Sequence, residues 1–69
     1  MNRYCLSIYP PDKRPELEQA IKAAGYSLTV HPEYPDDICF QAPAPNRQSL
    51  PIRSKLEAIA PGIKIHGPM

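Results

Sequence analysis

No apolar run in this 69-residue chain approaches the roughly 20 residues that a membrane-spanning helix needs, and the N-terminus lacks the charged and apolar regions of a signal peptide. A soluble, cytoplasmic protein with no membrane partner is therefore expected. Cysteine is scarce. Two residues are too few for a disulfide framework, and neither a C-x-x-C pair nor a Cys/His ligand spacing occurs. Both thiols are expected to be reduced and partly buried. Charge is nearly balanced as well, and a net +1 is too small for long-range attraction to nucleic acid. No nucleophile stands with an obvious base, so no catalytic residue, cofactor or metal is assigned.

What is present is globular in type, with 42% hydrophobic and 22% charged residues. A chain this short buries only roughly 60% of the surface its unfolded form exposes, which supports one core and a single domain over residues 1–69. Ten prolines fall between the periodic segments, where they stiffen the unfolded chain and lower the entropy lost on folding. The charges are unevenly spread. Residues 1–37 hold four basic and six acidic side chains, giving −2, whereas residues 38–69 hold Arg47, Arg53, Lys55 and Lys64 against Glu57, giving +3.

Arg3-Tyr4-Cys5-Leu6-Ser7-Ile8-Tyr9 alternates at the two-residue strand period, with Tyr4, Leu6 and Ile8 on one face and Cys5 and Ser7 on the other. Pro10 and Pro11 end it. Pro15 suits the first helical position, Glu16 and Glu18 complement the helix dipole, and Leu17, Ala20, Ile21 and Ala24 form an apolar stripe that Gly25 terminates. Tyr26–His31 alternates again, a turn with two prolines and three acids follows, and Ile38–Ala42 reads as a third strand. Pro51 marks a second helix with Ile52, Leu56 and Ile59 as its stripe; Pro61 and Gly62 stop it, and Ile63–His66 is a last short strand.

The order strand, helix, strand, strand, helix, strand predicts an α+β, ferredoxin-like βαββαβ two-layer sandwich with antiparallel sheet order 4-1-3-2. Leu6, Ile8, Leu28, Val30, Phe40, Leu56 and Ile59 are the expected core. Helices cover one face. The other is lined by Cys5, Ser7, Thr29, His31, Cys39, Gln41, Lys64 and His66, a flat surface without a small-molecule pocket. Four ligand-type residues on four strands about 4.8 Å apart spread over roughly 14 Å, too far for zinc, whose ligand atoms lie within about 2.3 Å. A disulfide between Cys5 and Cys39 is geometrically awkward for adjacent strands.

The element order resembles that of the RNA-recognition motif, which stacks bases on aromatic rings of its central strands. Here those outward positions are Cys5, Ser7, Cys39 and Gln41, and Tyr9 at the strand end is the one ring available to stack. Acylphosphatases share the fold and hold phosphate in the first strand-to-helix loop. That loop contains Lys13 and Arg14, but Pro10, Pro11 and Pro15 remove three amide donors from it.

A small stiff domain without a pocket is expected to work by presenting a surface. The first reading is a non-enzymatic protein-binding module: a homodimer, or a regulator or inhibitor docking on a larger complex, as in microbial and phage accessory proteins. It would use the open face or the edge strands. The alternatives are binding of RNA or single-stranded DNA through Arg47, Arg53, Lys55, Lys64 and His66, and a small phosphate-directed hydrolase or ribonuclease using His31 or Arg14.

Overall fold

The computed structural model describes residues 1–68. Strand β1 (Asn2–Ser7) leads through a 3₁₀ turn (Pro11–Lys13) into helix α1 (Arg14–Ala23), followed by β2 (Ser27–Thr29) and β3 (Ile38–Ala42). A second 3₁₀ turn (Arg47–Ser49), helix α2 (Arg53–Ile59) and β4 (Lys64–His66) complete the chain. The four strands form one sheet in the order β2-β3-β1-β4, and every neighbouring pair is antiparallel. The expected strand order 4-1-3-2 and the small α+β class are therefore observed.

Local chemistry accounts for the boundaries. Pro15 occupies the second helical position of α1, where a missing amide costs nothing because the first turn has no intrahelical acceptor. Gly25, at φ 84°, closes the same helix. Its N–H donates to the Lys22 carbonyl while the Tyr26 N–H donates to the Ile21 carbonyl, the paired bonds of a Schellman motif. Helix α2 begins two residues after Pro51, which lies in the preceding turn.

The core lies between the sheet and the helices. Tyr4, Leu6, Phe40 and Ala42 from the sheet meet Leu17 and Ile21 of α1 and Leu56 of α2. Phe40 is at its centre, with its ring 5.9 Å from Tyr4 and 6.0 Å from Tyr26, both stacked. The Tyr4 hydroxyl donates to the Ala44 carbonyl at 2.6 Å, so this ring is buried without an orphaned polar group. Leu28 and Ile59 are half-buried at the margin of the core.

Two expected core residues are not in it. Ile8 is 64% exposed and Val30 is 70% exposed. Both share the period of Leu6 and Leu28, but β1 ends at Ser7 and β2 at Thr29, so each lies one residue past its ladder. Ile8 adopts φ 58°, a left-handed conformation that costs a β-branched residue about 1–2 kcal/mol. Ile8→Gly relieves that cost and returns about 0.5–1 kcal/mol through glycine's larger unfolded-state entropy. The expected result is a Tm a few degrees higher, at about 4–8 °C per kcal/mol. A lower Tm contradicts it.

Candidate functional site

The face away from the helices is organised by strand register. Cys5 is opposite Cys39 on β3 and His66 on β4, and Cys39 is opposite Thr29 on β2. Directly opposed residues point to the same side. One row therefore runs Thr29, Cys39, Cys5, His66 across all four strands. The Cα atoms of Cys5 and Cys39 are 4.1 Å apart and the two side chains form a disulfide. The expectation of reduced thiols is thus overturned: exact opposition in the close, non-hydrogen-bonded register brings the sulfurs together.

Further side chains gather around this bond. Ser7 Oγ and His66 Nε2 share a hydrogen bond of 2.5 Å, joining β1 to β4 beside the row. From the β2–β3 connection, His31 packs against Tyr34 as a tilted ring pair with centroids 5.1 Å apart, and its Nδ1 accepts from the Glu33 N–H at 3.0 Å. Cys5, His31, Tyr34, Asp37 and His66 line a cleft of about 340 Å³. Cys5 is 5% exposed and Cys39 1% exposed, so the bond meets the cleft on its Cys5 side.

A second cluster lies at the end of the sheet where β1 stops and β3 starts. Leu6 pairs with Ile38 and Thr29 with Cys39, so Ile8, Val30 and the turn bearing Tyr34 all emerge there. Tyr34 is 58% exposed. Among the described residues, three of the four large apolar side chains left in solvent, Met1 being the other, thus belong to one end of the sheet. Arg14 braces this turn by donating from Nη1 to the Asp36 carbonyl.

A third region runs along the outer edge of β4. Arg47, Gln48, Arg53, Glu57, Lys64 and His66 line a groove of about 480 Å³ with Ile63 and Ile65 beneath. Arg53 is paired with Glu57 at 3.2 Å, and Arg47 donates to the Ile65 carbonyl at 3.3 Å. The latter contact occupies an edge carbonyl that an added strand would need.

The structure thus brings Cys5, Ser7, Thr29, His31, Cys39, Gln41, Lys64 and His66 onto one face, and Arg53, Lys64 and His66 into one groove. It separates the others. Lys55 lies between the helices, in a shallow depression with Ala20, Ala23 and Ile59. Tyr9 packs against the core, while Gln41 stays on the open face two residues along β3 from Cys39, in a row with Arg3 and Ser27. Arg14 and His31 line different depressions.

Sequence reasoning missed the Ser7–His66 pair, Asp37, and the apolar end formed by Ile8, Val30 and Tyr34. Among the described residues no three His, Cys, Asp or Glu side chains converge as a metal site would require, and no helix is long and apolar enough to cross a membrane. Comparison with protein-family models, curated proteins and solved structures finds no match.

Proposed function

We propose that this chain is a small protein-binding module of ferredoxin-like type, and that it engages its partner with the end of the sheet bearing Ile8, Val30 and Tyr34. The observation that carries the reading is Ile8. A β-branched side chain held at φ 58° and exposed to solvent incurs a backbone cost and a hydration cost together, with no return inside the domain. Burial against a partner supplies that return. Val30 and Tyr34 widen the surface, and an exposed aromatic beside aliphatic groups is the usual composition of an interface centre.

The test is affinity capture from host extract with nuclease present, comparing the parent chain with Ile8→Asn and with Lys55→Ala on the distant helical side. Asn tolerates left-handed angles, so the fold is kept while the apolar contact is lost. The expected result is one set of proteins retained by the parent and by Lys55→Ala and lost with Ile8→Asn. Equal retention by all three chains, or recovery of nuclease-sensitive nucleic acid alone, would overturn the reading. Light scattering against concentration separates a second copy from a foreign partner.

The groove at β4 supports a second reading, binding of single-stranded nucleic acid, because Arg47, Arg53 and Lys64 there face a single carboxylate. It requires retention that weakens steeply with salt and falls further with Lys64→Glu.

A further inference from the structure

We infer that the Cys5–Cys39 disulfide is a thiol-exchange site, entered by small thiols through the cleft over Cys5, with His66 accepting the thiol proton. The bond lies on the sheet face that carries no helix, and its two ends differ: Cys5, 5% exposed, lines the cleft, whereas Cys39 is 1% exposed and borders only the separate depression beside Arg14. Opposite Cys5 on β4 is His66, which sets their Cβ atoms about 5 Å apart.

The two imidazoles of the cleft are held differently. His31 accepts at Nδ1 from the Glu33 N–H, so its other nitrogen bears the proton and is a donor. His66 bonds to Ser7 through Nε2. In the tautomer whose Nε2–H donates to the Ser7 oxygen, its Nδ1 lone pair is free to take a proton. A third feature concerns the leaving sulfur. Thr29 Oγ1 is buried without a hydrogen-bond partner, and Thr29 is opposite Cys39. A Cys39 thiol gives this orphaned oxygen an S–H donor that the disulfide lacks.

In the exchange step the thiol transfers its proton to His66 and the resulting thiolate attacks Cys5 Sγ. A bond forms between the incoming sulfur and Cys5 as the Cys5–Cys39 bond breaks. The electron pair leaves on Cys39 Sγ, which recovers the proton from His66. One thiol and one disulfide become one mixed disulfide and one thiol, with no external oxidant. When the reagent is a dithiol, its second sulfur displaces Cys5 and departs as the cyclic disulfide, leaving both cysteines reduced.

The experiment uses the full chain, purified in air, with excess reduced glutathione as probe, followed by alkylation and peptide mapping. Glutathione is expected on Cys5 and the alkyl group on Cys39, in roughly tenfold excess over the reverse assignment. A thiol of pKa about 8.5 is only about 3% thiolate at pH 7, so His66→Asn is expected to slow adduct formation by up to about 30-fold there. His31, Tyr34 and Asp37 face the same cleft, so each rate is compared with the parent chain at equal pH. At about pH 9.5 the probe ionises unaided and the difference should vanish, which a merely structural role for His66 would not produce. Two free thiols before the probe is added, an adduct that needs denaturant, preferential modification of Cys39, or equal rates at pH 7 would each overturn the inference.

Discussion

Phe40→Ala is expected to lower the unfolding free energy by about 3–5 kcal/mol, the largest loss from any single side chain. Phe40 is fully buried, stacked between Tyr4 and Tyr26, and opposite Tyr4 and Leu28 on the two flanking strands. Truncation removes the ring's transfer energy and leaves a cavity among rings that cannot close over it, at about 3–5 kcal/mol. A domain of this size has roughly 3–10 kcal/mol in total. The loss therefore removes at least about a third of the stability, and all of it at the lower end of that range. Val30→Ala is the matched control: it removes an aliphatic side chain from the neighbouring strand end, yet it should cost under about 0.5 kcal/mol because the side chain is already in water. Urea titration of the two variants checks both, and comparable losses would contradict the placement of Val30.

Replacing both cysteines by alanine, or reducing the disulfide, is expected to have the second largest effect. The bridge joins residues separated by 34 positions. A loop of that length costs the unfolded chain about 4 kcal/mol in closure entropy, within the usual 2–5 kcal/mol for a native disulfide in a small domain. In thermal terms that is a drop of about 15 °C or more. The ladder between β1 and β3 remains without the bridge, so the variant should keep its secondary structure at low temperature while melting early. A Tm within about 3 °C of the parent in both oxidised and reduced forms would contradict the bridge.

The element order was legible because apolar spacing changes from two to three and four residues at points punctuated by proline and glycine. Ile38–Ala42 is a strand with the bounds its alternation indicates, and Gly25 and Gly62 end the helices as expected. Alternation tells which side a residue faces but not where the ladder stops, which is why Ile8 and Val30 were expected in the core. Register was equally hidden. Cys5 and Cys39 could be placed on the same side of neighbouring strands, but their exact opposition depends on a pairing that a shift of one residue would undo. The Ser7–His66 contact, spanning 59 positions, depends on the same pairing at β4. The separation of Lys55 from Arg53 was readable in principle, since two residues turn a helix by about 200°.

The unifying claim is geometric: a helix-free sheet face with a disulfide at its floor, bordered by apolar side chains that the domain itself does not bury. A NOESY spectrum of the native chain tests this most directly. The expected result is a strong Hα–Hα contact between Cys5 and Cys39, with β-carbon shifts of an oxidised pair and no contact from the Ile8 or Val30 methyl groups to Leu17, Ile21 or Leu56. Methyl contacts from Ile8 or Val30 to those helix residues, or a missing Cys5–Cys39 contact, would contradict it.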